Sequence, residues 1–426
     1  MQEQVINNMK SLGIDMIKKA GNGHSGIVLD AATMLYCLYA HHININVNDP
    51  KWPNRDRFVM SAGHGSAILY ATLYMAGYLT KEDLMQFRQI DSRTPGHPEV
   101  GVTPGVEAST GPLGQGIATA VGLALGEKIL EHRFVTSKGE SLFHYHVYVL
   151  CGDGDLMEGI SYEAASLAGT WKLNNLIVLY DSNKTSLDGS TDMTFTENVR
   201  ARFEAMGWDT ELVKDGENVA EIDRAIAKAK KNDKPTLIEV QTIIGNGSKL
   251  AGSHEVHGKV LDDEDIYQLK GKWGIDHEPF TTLPNTENMF RAEMLKHTKP
   301  AYEEWSKRYQ DYHNEHSDLS DLDFIFGKKK EIDLLKTPFS FMMEEKEATR
   351  KTNATFLNHI SREIPYFIGG SADLSTSVKS YIDRGNDLTK DNYLGKNIWF
   401  GVREHAMGAI LNGLALTNFQ VFGSTF

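Results

Sequence analysis

Between residues 145 and 183 the hydrophobic pattern changes period twice. Tyr145–His146–Val147–Tyr148–Val149–Leu150 is dense in β-branched and aromatic residues and predicts a strand. Glu158 to Leu173 carries Ile160, Ala164, Leu167, Ala168 and Trp171 at helical spacing. Leu176–Ile177–Val178–Leu179–Tyr180 is an unbroken apolar run, as expected of a parallel strand covered on both faces. Together they predict a strand–helix–strand unit whose right-handed crossover sets both strands parallel in one sheet. Asp153, in Gly152–Asp153–Gly154–Asp155, and Asn183, in Asp181–Ser182–Asn183, then fall just past the carboxyl ends of those strands. Open α/β sheets take their ligands there. A carboxylate and an amide oxygen, beside glycines that admit close backbone approach, suit a hard divalent cation holding a diphosphate. The plainer alternative is an Asp–Gly turn and an unrelated asparagine.

The alternation of helices and short strands extends over residues 1–285, with glycine-rich joints at 21–26, 61–66, 111–116 and 152–159. It predicts an α/β fold with an open, mostly parallel sheet flanked by helices. Residues 286–345 change character. Charged helical segments such as Tyr302–Tyr309 give way to Asn314–Glu315–His316–Ser317–Asp318 and the basic run Lys328–Lys329–Lys330, predicting a helical linker on the surface. A second α/β pattern occupies 346–426, with a strand at Tyr366–Phe367–Ile368, the loop Gly369–Gly370–Ser371–Ala372–Asp373 and an apolar helix from Ala406 to Leu416. This second domain is expected to be incomplete, because no closing elements follow before Phe426.

Composition narrows the partners. Hydrophobic residues make up 41% and charged residues 24%, ordinary for a soluble folded chain. A net charge of −13 with dispersed basic residues argues against nucleic acid or an anionic membrane surface. Cys37 and Cys151 both sit in apolar segments and read as buried thiols, which fits a reducing cytosol. Met1–Gln2–Glu3–Gln4 has no basic signal-peptide start, and no segment approaches the roughly 20 uncharged apolar residues of a membrane span. A soluble cytoplasmic protein is expected.

Histidines recur in glycine-flanked loops: His24 in 23–26, His64 in 63–66, His97 in 95–98, and His254 with His257 in 253–258. A zinc site at His254 and His257 lacks further ligands at a supportive spacing. Neutral histidines that hydrogen-bond hydroxyls and carbonyls, or shuttle protons, account better for the set. Gly111–Pro112–Leu113–Gly114–Gln115–Gly116 opens a long apolar helix and either presents backbone N–H groups to an anion or makes a tight packing turn. Glu404, just before the nearly uncharged helix, is expected in apolar surroundings with a raised pKa, able to hold a proton; the alternative is a surface pair with Arg403.

At this point a family is visible. The motifs GNGHSG (21–26), GHGSAILYATLYMAGY (63–78), TPGHPEVG (94–101), STGPLGQGIA (109–118), GDGDLMEGISYEA (152–164), SNKTSLDG (182–189), GSHEVHG (252–258), GGSADLS (369–375) and GVREHAM (401–407) stand in order. The chain resembles the transketolase family of thiamine-diphosphate enzymes over essentially its whole length. The resemblance implies a diphosphate-binding domain at 1–285 and part of a pyrimidine-binding domain at 346–426, with the family's third domain absent. It implies thiamine diphosphate held with Mg2+ or Ca2+ through Asp153, Asn183 and the Thr185 carbonyl. His64, Gly111, Leu113, Gly154, Asn183 and His257 would line the cofactor, with Phe426 stacked on its pyrimidine and Glu404 at N1′. His24, His97, His257, Arg350 and Ser377 would hold a sugar phosphate, with Glu404, His257 and His24 taking catalytic roles. The implied reaction moves a two-carbon ketol unit from a ketose phosphate to an aldose phosphate through a thiamine diphosphate ylid, in the pentose phosphate pathway, in a homodimer with sites at the subunit interface. The chain departs from the family in reading GHSG where GHPG is more frequent, and in the less typical Ile27–Val28–Leu29–Asp30. Other readings are a related enzyme (dihydroxyacetone synthase, 1-deoxyxylulose-5-phosphate synthase or phosphoketolase) and a truncated, non-catalytic chain that binds cofactor or a second subunit.

Overall fold

Residues along the central strands point alternately into two cores, which is why their sequences read as continuous apolar runs. The computed structural model describes residues 1–316, 318–328 and 346–426; Ser317, and residues 329–345 with Lys329 and Lys330 of the basic run, lie outside the described residues. Helices α1 (Gln2–Ala20), α2 (Ser25–Cys37) and α3 (Ser66–Ala76) cover one face of the first sheet. Helices α4 (Gln115–Arg133) and α5 (Gly159–Thr170) cover the other. The strands are β1 (Arg57–Met60), β2 (Val147–Gly152), β3 (Leu176–Ser182), β4 (Asp209–Val213) and β5 (Thr236–Gln241), all parallel, in the spatial order β1-β2-β3-β5-β4. Tyr148, Leu150, Ile177 and Leu179 join the α1–α3 core, while Val147, Val149, Val178 and Tyr180 join the α4–α5 core. The predicted strand–helix–strand unit is present as β2, α5 and β3, with β2 starting two residues later than the sequence pattern suggested.

Residues 286–315 form one continuous helix, α6 (Thr286–Glu315), more deeply seated than a surface linker. Its Phe290 and Met294 enter the first core, Tyr312 enters the second, and the Trp305 indole N–H donates to the Leu142 carbonyl at 2.9 Å. The second unit holds α7 (Thr349–Glu363), β6 (Phe367–Ser371), β7 (Asn397–Trp399), α8 (Glu404–Leu416) and β8 (Gln420–Ser424). Its three parallel strands run in the order β7-β6-β8.

The two units meet where α8 crosses α4, and the crossing is close enough to need glycine on both sides. A Cβ on Gly122 would stand 2.0 Å from the Ile410 carbonyl oxygen, and one on Gly413 would stand 2.1 Å from the Thr119 oxygen. Cys37 and Cys151 are free and buried, as expected. Among the described residues no helix is long and apolar enough to cross a membrane.

Candidate cofactor and substrate site

Strand β2 hands over to Asp153 and β3 to Asn183, and the pairing of Gly152 with Asp181 brings both side chains to the same sheet edge. Asp153 is buried; its Oδ1 accepts from the Tyr180 hydroxyl at 2.6 Å and its Oδ2 from the Lys184 N–H at 3.1 Å. Burial pushes its carboxyl up to about 6, against the pull of those hydrogen bonds. Asn183 Oδ1 accepts from the Thr185 N–H at 3.0 Å. Asn183 Nδ2 donates to Asp181 Oδ2 at 3.2 Å and Asp30 Oδ2 at 3.4 Å. Both of these aspartates are fully buried. Burial raises both carboxyls, Asp181 to about 7, and the Asp181 charge raises Asp30 further. An oxygen-donor set of carboxylate and amide, ringed by further carboxylates, fits a hard divalent cation.

The wall beside this pair is backbone. A Cβ on Gly63 would lie 2.9 Å from the Gly111 nitrogen, and one on Gly154 would lie 2.9 Å from Leu113 Cδ1, so glycine keeps this cradle open. The Gly111–Gly116 approach to α4 does meet an anion, but one supplied by the chain itself. Asp155 Oδ1 accepts from the Gly114 N–H at 2.9 Å and the Ser61 hydroxyl at 2.6 Å, while its Oδ2 accepts from the Gly152 N–H at 3.1 Å. Ser61 Oγ in turn accepts from the Ile117 N–H at 3.2 Å.

Three of the predicted histidines converge. The His24 ring lies 4.9 Å from His64 and 5.5 Å from His257, and His64 lies 5.0 Å from His257. The His97 ring reaches the same rim, 3.6 Å from where a Cβ on Gly111 would stand. Burial, then the positive charges of His257, Arg88 and His97, brings His24 down to about 4. Burial, then neighbouring histidine charge, holds His64 well below the usual range; burial also lowers His257 and His97, the latter together with Arg88. Each of these shifts favours the neutral imidazole, the form expected from the sequence. His24 Nδ1 is buried without a hydrogen-bond partner, a donor or acceptor left for something else in the cleft. His254 is exposed and apart from this ring trio. A separate trio, Glu127, Glu131 and His144, brings ligand atoms close together at the opposite end of β2, where the Lys128 ammonium already stands 2.7 Å from Glu131.

The remaining predicted residues are not brought to this ring. Arg350 starts α7 and Ser377 follows β6; both are exposed, and no hydrogen bond or ring contact joins them to the histidines among the described residues. Phe426 is 76% exposed. Glu404 corrects an expectation: it begins α8 but is exposed rather than in apolar surroundings, accepting from the Thr425 hydroxyl at 3.4 Å. The reason is geometric. The apolar face of α8 turns toward α4 through Ala406, Ala409, Ile410 and Gly413, and the first residue of the helix points away from it. The sequence reading did not reach Tyr180, Asp30, Asp181 and Arg88. Only Asp181, two residues before Asn183, carried a local signal; the others come to the site from strand interior, mid-helix and loop.

Residues 1–324 match the family described as transketolase, thiamine diphosphate binding domain, and residues 345–426 match the transketolase pyrimidine binding domain. A transketolase of Aquifex aeolicus is 46% identical over 429 residues, covering 100% of this chain and 62% of that protein. A Bacillus subtilis transketolase is 45% identical over 432 residues, with 100% and 65% covered. The chain therefore spans less than two thirds of the length of these relatives. In structure it is similar to a Pichia stipitis transketolase complexed with sedoheptulose-7-phosphate, with a TM-score of 0.95 and 39% identity, covering 100% of this chain and 64% of that one. Two matched domains spanning nearly every residue, with identity far above what a shared fold alone would leave, mean that this chain belongs to the transketolase family.

Proposed function

We propose that this chain supplies the cofactor-binding portion of a transketolase that moves a two-carbon ketol unit from a ketose phosphate to an aldose phosphate. The observation that carries the reading is the Asp153–Asn183 oxygen pair at the ends of two parallel strands, with Gly154 against Leu113 and Gly63 against Gly111 beside His64, whose ring gathers with His24 and His257. The pair would hold Mg2+ or Ca2+ against a diphosphate, with the Thr185 carbonyl as a third ligand. Gly111, Leu113 and Gly154 would let the diphosphate lie against backbone. Thiamine diphosphate, when bound, supplies a carbon nucleophile and an electron sink for breaking a bond beside a ketone.

The chain's own residues do the rest. His24, His64 and His257, neutral at pH 7, donate to or accept from sugar hydroxyls, so alkoxide charge is met by hydrogen bonds without a cation having to be desolvated. His97 closes the rim near Gly111. Glu404 would hold a proton at N1′ of the pyrimidine and Phe426 would stack on it, while Arg350 and Ser377 would take the sugar's phosphate. All four are exposed in the single chain, which supports a homodimer completing the site from a second copy. Two buried free thiols suit a reducing compartment such as the cytoplasm.

Calorimetry of the chain with thiamine diphosphate and Mg2+ tests the core of this reading. Saturable, metal-dependent binding is expected, and Asp153→Ala should abolish it. Unchanged affinity in that variant would remove Asp153 from the site. Two-carbon exchange between a ketose phosphate and an aldose phosphate then separates a catalyst from a chain that only binds cofactor.

A further inference from the structure

The Asn183 side chain has two nearly isosteric ends. Only one of them, the oxygen, is any use to a cation. A half-turn of the amide would present two N–H protons instead. The structure answers this with two carboxylates on the nitrogen side, each held by a second contact of its own. Asp30, in the middle of α2, uses Oδ1 to accept from the Gly245 N–H at 2.8 Å and turns Oδ2 to Asn183 Nδ2. Asp181, the penultimate residue of β3, accepts from the Thr242 hydroxyl through Oδ1 and turns Oδ2 to the same nitrogen. Both are 1% exposed, and they arrive from a helix and a strand that are far apart in sequence. A flipped amide would give up three contacts at once, its oxygen leaving the Thr185 N–H and its nitrogen leaving both carboxylate oxygens.

We propose that Asp30 and Asp181 are positioning residues that lock the Asn183 amide with Oδ1 facing the cation. The proposal rests on the reading of Asn183 as a cation ligand. It assigns work to Asp30, which lies in the segment where this chain departs from the usual family pattern. Outer partners of this kind set ligand orientation, and losing one weakens metal binding about 10–100-fold.

The test uses the full chain with thiamine diphosphate and Mn2+ as the probe, free Mn2+ being read by electron paramagnetic resonance. Asp30→Ala should raise the Mn2+ dissociation constant about 10–100-fold. Asp181→Asn should stay within about threefold of wild type, because its amide oxygen can still accept from Asn183 Nδ2 while its NH2 donates to the Thr242 hydroxyl, an exchange Asp30→Asn cannot make against the Gly245 N–H. An Asp30→Ala chain that binds like wild type overturns the proposal. So does an Asp181→Asn chain as weak as Asp181→Ala, since charge rather than acceptor geometry would then be responsible. If Asp30→Ala does not fold by circular dichroism, Asp181→Ala is compared with Asp181→Asn under the same criteria. Asp153→Ala is run alongside: full Mn2+ binding there would defeat the cation-site reading itself, a result distinct from failure of the Asp30 arm alone.

Discussion

Two aspartates two positions apart do different work. Asp153 turns to the Tyr180 hydroxyl and the Lys184 N–H at the end of β3, whereas Asp155 ties Ser61, Gly114 and Gly152 together. Asp155→Ala should therefore cost about 3 kcal/mol or more in urea unfolding, since several buried donors lose their only charged acceptor. The motif made both visible in the sequence and singled out Asp153 as the candidate ligand, but the inward role of Asp155 was not legible, because it depends on where α4 begins. A second residue-scale prediction concerns Asp223. Burial alone would raise its carboxyl, but hydrogen bonds from His41 Nδ1 at 2.8 Å and His42 Nε2 at 3.2 Å outweigh it and hold the group at about 2. A folded value below the unfolded one stabilises the protein above about pH 4, and that contribution fades as pH falls from about 4 to about 2. Asp223→Asn should lower stability by roughly 1–2 kcal/mol at pH 5, with the gap to wild type closing toward pH 2. Urea midpoints at pH 5, 4 and 3 check it, and a gap that does not change with pH would show the ion pairs to be idle.

At the scale of elements, the crossing of α4 and α8 decides how the two units sit. Gly122→Val would drive a side chain into the Ile410 backbone and should destabilise by at least about 2 kcal/mol. Gly408→Ala, on the open side of α8 with nothing within 4 Å of the added Cβ, should be neutral or stabilising by roughly 0.5–1 kcal/mol. Thermal unfolding of both variants separates backbone contact from simple helix propensity. The β2–α5–β3 unit was legible because its period changes twice within a short stretch and both strands are covered on both faces. Helix α6 was legible as helical, but its seating was not: Phe290, Met294, Trp305 and Tyr312 are spread too thinly over 30 residues to announce a buried stripe. The apolarity of α4 and α8 would have suggested spare surface for a partner. The structure shows the two helices packed on each other, so that apolarity carries no argument for a dimer.

For the whole molecule, the argument for a second chain rests on what stays open. Glu404, Arg350, Ser377 and Phe426 are all exposed, while the His24, His64 and His257 rings gather without them. The backbone beside Glu404 is held within the chain. The next residue, His405, meets Gln115 at 2.7 Å, and the Ala406 N–H is held by Glu163 at 3.0 Å. The α4–α8 crossing fixes the rest of the helix. If the pyrimidine of one cofactor is served by Glu404 of one copy and its diphosphate by Asp153 of another, two defective chains should complement each other. Asp153→Ala alone loses cofactor and Glu404→Gln alone loses activation, so neither should exchange the C2 proton of thiamine diphosphate in deuterated water. Random mixing of equal amounts puts half of the chains' dimers in hybrid form, each with one intact site of two, so exchange should recover to about a quarter of the wild-type rate. Proton NMR of the C2 signal measures it directly. A mixture that stays silent after subunit exchange, beside an active wild type, would place Asp153 and Glu404 of a single chain at the same cofactor and end the shared-site reading.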